Sequence, residues 1–395
     1  MNRNFVKIAV YYALIFMGAG AYSSYIGLYY SDIGYGTAQI GTLSTLAAVM
    51  AILVQPYWGL LADRAKYKNN VLLLCTFVTT ISIWLVPFAG DRYGLLIVAT
   101  LFITIFQCPI FPMSTTVTLE IAGRSGFKFS SVRTMGSVGF ALMSVLAGWM
   151  IKLDLIYIFV LYSSLMLLTV ILNVTVPKVK GHQHGGKKLN LKEVFKNKRL
   201  IYIFIYAMFI QATISFYFSF QAIYSTEVGI STGMIGLGLM IGSLSQFPFM
   251  IWFDKLYKKF GITNILLFAG LVQAVRMVLF AYFNSPASIL FLWILHGGTI
   301  IMISLSLMEY VNATVLPELR ASGQMMNAIV MQGLATIVGS FAGGTLASHL
   351  GLQMTFVIYS GVSLAAALCF WYVVRRSVLF REPAMKRQRQ ETVSL

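Results

Sequence analysis

Gln55-Pro-Tyr-Trp-Gly-Leu-Leu-Ala-Asp63-Arg64 closes one long apolar run of this chain, and Gln246-Phe-Pro-Phe-Met-Ile-Trp-Phe-Asp254-Lys255 closes another. Each copy sets a glutamine eight residues before an acidic–basic pair, and the copies stand 191 positions apart. A second echo has nearly the same offset. Val132-Arg133-Thr-Met-Gly136 returns 187 positions later as Leu319-Arg320-Ala-Ser-Gly323. Two echoes at almost one spacing in a chain of 395 residues point to a duplicated unit.

The duplicated unit is apolar. Hydrophobic residues make up 58% of the chain and charged residues only 10%, where a soluble domain carries about a quarter charged residues. A helix crossing the hydrocarbon core needs about 20 mainly apolar residues. Twelve runs meet that length, near 6–31, 37–61, 71–90, 93–121, 132–152, 155–176, 200–224, 231–254, 262–283, 287–310, 323–348 and 353–374. Only helices and closed barrels satisfy their backbone in lipid, and these runs are too long and too uniformly apolar for barrel strands. The sequence therefore predicts an all-α integral membrane fold of twelve transmembrane helices in two pseudo-symmetric six-helix halves. The halves are expected at 1–177 and 200–375, joined by a basic linker, 178–199, and followed by a tail, 376–395.

Charge sets the expected orientation. Lys and Arg number 29 against 12 Asp and Glu, a net +17. With the N-terminus in the cytoplasm, 26 of the 29 fall on the cytoplasmic side; Arg92 and Lys152 face outward and Arg276 lies inside a span. That distribution follows the positive-inside rule and predicts a multi-pass protein of the cell membrane with both termini cytoplasmic. It also accounts for the basicity without nucleic acid. The first span has no small-residue cleavage site behind it, so a removed signal peptide is not expected. Cys75, Cys108 and Cys369 all lie in spans, which implies no extracellular disulfide framework. His182-x-His184 in the linker has metal-like spacing, but two histidines do not complete a site, so no metal or cofactor is expected. A phosphate loop, a nucleophilic triad and a sizeable soluble domain are all lacking, which argues against an enzyme and against an ATP-driven pump.

Parallel six-helix repeats are the organisation of secondary transporters, in which one half rocks against the other around a midplane site. Gly59-x-x-x-Asp63-Arg64 with Lys66 and Lys68 resembles the loop signature of the major facilitator superfamily, a gating motif that Asp254-Lys255 repeats in the second half. Within that superfamily the chain is similar to the lactose permease and phenylpropionate permease branch. The carrying residues are Gly20-Ala21-Tyr22 with Asp32, Gln55-Pro56, Val132-Arg133 with Gly136-Ser-Val-Gly139, Val275-Arg276 and Leu295-His296-Gly297. The resemblance implies a secondary transporter importing a small polar solute, a sugar, nucleoside or small organic acid, as a proton-coupled symporter that works as a monomer. A proton-coupled efflux antiporter of the same fold is the alternative. The fifth span lacks the Gly-Pro signature usual in such exporters.

Ionisable groups inside spans are functional candidates by default. At 1.5 Å per residue Arg276 lies about 21 Å along the ninth span, and His296 about 14 Å into the tenth from the other side. The two therefore fall at similar depth and are expected to share one cavity. The resemblance implies a substrate role for Arg133, Arg276 and His296, with Phe140 where the branch has a tryptophan that stacks on sugar, Gln246 for an asparagine and Thr115 for a carboxylate. Ser243 and Thr299 replace two further carboxylates. No acid remains at the midplane, so His296, which titrates near neutral pH, is the expected coupling group beside Arg276, with Glu309 and Glu120 as reserves. Tyr22, Tyr25, Tyr217, Tyr310, Gln107, Gln211, Gln221, Asn312 and Gln332 are further candidates to line the cavity.

Overall fold

Gly261 and Gly351 decide how the helices count. Both have left-handed φ, 72° and 79°, which glycine adopts without a Cβ clash, and each divides an otherwise continuous helix into two spans. In this computed structural model, which describes residues 3–181, 197–283, 285–315 and 320–376, nine helices are long and apolar enough to cross a membrane. Two of these, Thr232–Tyr282 and Met326–Arg376, have 51 residues each and cross twice, turning at the two glycines. The shorter Tyr157–Asn173 completes twelve. In chain order the spans are α1 (Arg3–Asp32), α2 (Thr37–Arg64), α3 (Lys68–Ala89), α4 (Tyr93–Ser125), α5 (Phe129–Ile151) and α6 (Tyr157–Asn173). The second set is α7 (Lys198–Glu227), α8 (232–260), α9 (262–282), α10 (Pro286–Thr314), α11 (320–350) and α12 (352–376). The all-α membrane fold expected from hydropathy is the fold observed. Most of linker 178–199 and nearly all of the tail, including His182 and His184, lie outside the described residues.

Several spans are broken where the sequence suggested continuity. α4 breaks at Cys108–Pro109. Pro109 has no N–H to give the carbonyl four residues back; the indole of Trp58 on α2 donates to that Ile105 oxygen instead, at 2.6 Å. The break thus ties the Gly59–Asp63 segment of α2 to α4. α8 breaks at Ser245, three residues before Pro248. α1 unwinds at 23–25, and α11 contains a π-turn, Ile329–Leu334, a form that clusters at functional positions.

The halves meet through α5 against α8 and α2 against α11. At the end away from Asp63 the backbones nearly touch. Thr232 donates its hydroxyl to the Gly148 carbonyl at 2.7 Å, and beside it, within the first half, Tyr25 of α1 donates to Ser144 O of α5 at 2.8 Å. A Cβ on Gly148 would strike the Thr232 carbonyl, and one on Gly236 would strike the Ser144 carbonyl. Gly41 and Gly344 bring α2 and α11 together in the same way. At the Asp63 end the start of the linker is strapped across the α2–α3 turn. Lys68 N donates to Val179 O at 2.8 Å, and Val179 N donates to Asn69 Oδ1 at 2.8 Å.

Candidate functional site

A cavity of about 1170 Å³ runs from Tyr22 and Ser23 near mid-bundle to Gly59, Asp63, Lys68 and Arg133 at the linker-strapped end. Its walls come mostly from α1, α2 and α4; α11 adds Ala328, Ile329, Gln332 and Gly333 from its π-turn region. At the deep end the Tyr22 and Tyr162 rings lie 5.1 Å apart, and Gln107 donates to the Tyr162 hydroxyl at 2.9 Å. Midway, the Tyr12 and Thr115 hydroxyls are 3.1 Å apart, beside the paired rings of Phe16 and Phe111. Most of the lining is apolar, with a few amides and hydroxyls that fix orientation, the usual make-up of a small-molecule site.

The mouth carries the charge. Lys68 is 5% exposed and reaches Glu120 at 2.7 Å and Asp63 at 3.5 Å. Arg124 adds a second cation to Glu120 at 3.4 Å. Arg133 is exposed, lines the cavity and makes no ion pair among the described residues. Arg64, Asp254 and Lys255 are likewise exposed.

Arg276 and His296 do come together, as their depths implied, but behind the cavity rather than on its wall. They are 0% and 2% exposed. The Arg276 guanidinium lies 4.1 Å from the centre of the Tyr217 ring, and the His296 ring 5.4 Å from it. Arg276 donates from Nε and Nη2 to Gln273 Oε1 at 3.2 and 3.0 Å, and Gln273 Nε2 donates to the Thr213 hydroxyl at 3.0 Å. Both ring nitrogens of His296 and both amide atoms of Gln221 are buried without a hydrogen-bond partner.

Thr115, Tyr22, Arg133, Gly59 and Asp63 thus share one cavity. Phe140 and Gln246 are not on its wall. Phe140 packs against the apolar core with its carbonyl at Gly20 of α1, and Gln246 sits at the α8 break with its backbone N against Gly297. The reason is helix rotation, which depth along a span does not reveal. Glu120 is engaged by Lys68 and Arg124, and Glu309 is half-buried on α10. Ser243 donates to Ser137 O at 3.2 Å and Thr299 to Leu295 O at 2.9 Å, so both stand as satisfied hydroxyls. Sequence reasoning missed Gln273, although its position three residues before Arg276 puts it on the same helix face. Tyr12 and Tyr162 were hidden among 21 tyrosines.

Comparison with known proteins agrees with this architecture. Residues 5–358 match the model of the MFS_1 like family. An uncharacterized transporter of Bacillus subtilis, YwbF, is 24% identical over 375 residues, covering 92% of each chain. The maltose permease of Geobacillus stearothermophilus is 22% identical over 376 residues, covering 93% of this chain and 94% of its own. The crystal structure of the nucleoside transporter NupG superposes with a TM-score of 0.82 at 19% identity, covering 96% of this chain and 100% of that one. The chain belongs to the MFS_1-like family and is a multi-pass membrane transporter of the major facilitator superfamily, not an enzyme.

Proposed function

We propose that the chain is a secondary active transporter of the cell membrane that imports a small polar solute, a sugar, nucleoside or small organic acid, by alternating access coupled to protons. One observation carries the reading: a solute-sized cavity lined by the first half and by α11 of the second, continuous with the Arg133 end and sealed at the other by backbone contacts of α5 with α8 and α2 with α11. With both termini in the cytoplasm, as the positive-inside distribution supports, this is the state open to the cytoplasm. The maltose and nucleoside carriers among its relatives support the solute class.

Solute contact falls to Thr115, Tyr22 and Arg133 in this state, and the Asp63–Lys68–Glu120 cluster is the gate at the mouth. His296 is the proposed proton carrier, beside Arg276, because a neutral imidazole has a ring nitrogen that accepts a proton, neither of its ring nitrogens is occupied by a hydrogen bond, and Glu120 is held by two cations. Proteoliposome uptake of labelled sugars, nucleosides and small acids, with and without an inward proton gradient, tests this. The gradient should drive accumulation, and His296→Gln should abolish that accumulation while sparing solute exchange. Uptake indifferent to the gradient refutes coupling; uptake of no solute refutes the transport reading itself.

A further inference from the structure

Arg276 is a fully buried cation whose counter-charge the described part of the protein does not supply. Lys68 and Arg124 pair with carboxylates; among the described residues none lies within ion-pair distance of Arg276. Its two bonds to Gln273 Oε1 go to a neutral acceptor. A buried charge left unpaired costs several kcal/mol, which is why such charges are normally matched. The atoms around it are open as well. Arg276 Nη1 and His296 Nδ1 and Nε2 are buried and unbonded, and the Tyr217 ring touches both the guanidinium and the imidazole.

The cluster lies one ring away from the solute's route. A second chamber of about 290 Å³ is lined by Tyr30, Ser44, Gln211, Ser215 and Ser219, and it shares Ser23 and Gln332 with the large cavity. Phe218 lines that chamber, and its ring meets His296 edge-on with centroids 5.0 Å apart. Phe218 is thus the ring that the chamber and the cluster of His296, Tyr217 and Arg276 share.

We propose that this cluster is the carboxylate subsite for the transported solute, which makes the solute a small monocarboxylic acid. The inference rests on the transport reading and narrows its substrate class. The planar guanidinium matches a carboxylate with two parallel N–H donors, and an imidazole N–H supplies a further donor. One fixed positive charge balances a monoanion and not a phosphate dianion. The body of the acid lies in the hydroxyl-lined chamber.

The test uses the wild-type full chain in detergent. Benzoate, phenylacetate and butanoate are each titrated against their own amides, beside glucose, uridine and inorganic phosphate, by thermal shift and calorimetry. At least one acid should bind about 100-fold more tightly than its amide, the upper end of what a hydrogen bond to a charged group contributes. Arg276→Gln should make acid and amide equal, and Phe218→Ala should speed binding of the acid without reversing its preference. If Arg276→Gln does not fold, the wild-type acid-to-amide ratio alone decides. Binding and uptake of glucose or uridine with acids ignored overturns the carboxylate subsite and leaves the transport reading standing. Neither binding nor uptake of any solute overturns both.

Discussion

Lys68 illustrates how a single residue organises the mouth of the cavity. Its ammonium is almost wholly buried between Glu120 and Asp63, while the backbone around it is strapped to the start of the linker. Removing it takes away the shorter of the two ion pairs to Glu120 and leaves that carboxylate to Arg124 alone, a loss of about 1–3 kcal/mol for a hydrogen bond between charged groups. Lys68→Met should therefore lower the melting temperature, and adding Glu120→Gln should restore part of the loss. A thermal double-mutant cycle measures this; additive losses would show that the two residues do not interact. For single residues the sequence is informative about chemistry and weak about partners. It marks Lys68 as a motif cation and Glu120 as a reserve proton carrier, yet that the two form one pair depends on how α3 lies against α4.

Among the helices, proline and glycine do the shaping. Pro109 frees a carbonyl that Trp58 takes up, which fixes α2 against α4 along the cavity wall. Gly148 and Gly236 let α5 and α8 approach until backbone meets the Thr232 hydroxyl, sealing the end away from Asp63. A valine at Gly148 would drive its Cβ into the Thr232 carbonyl. Gly148→Val should then reduce transport by about tenfold or more, the equivalent of about 1.4 kcal/mol against the sealed state. It should also expose a Ser23→Cys thiol to reagent added from the sealed side. Wild-type transport and unchanged labelling would dismiss the seal. The spans themselves are legible to within a few residues because hydropathy and length define them. Their internal breaks are less so: α1 unwinds at 23–25 with neither proline nor glycine among those residues.

Across the full bundle, the first half and α11 of the second line a large cavity that reaches the Arg133 end. In vesicles carrying Thr115→Cys as the sole thiol, with Cys75, Cys108 and Cys369 changed to serine, a membrane-impermeant thiol reagent should label from the Arg133 side and not from the other. Saturating solute should slow that labelling as the population shifts toward other states. Equal labelling from both sides would contradict a sealed far end. The number of spans, their duplication and their connection in two sets of six follow from the order of amino acids alone. The bilayer enforces this: any segment crossing it must be about 20 apolar residues long and satisfy its own backbone. Which polar residues meet is a matter of packing. Thr115, Tyr22 and Arg133 share the open cavity, Phe140 and Gln246 turn away from it, and Arg276 and His296 are enclosed behind Phe218. Depth along a helix is fixed by residue number, but the direction a side chain faces is fixed by contacts between helices distant in the chain.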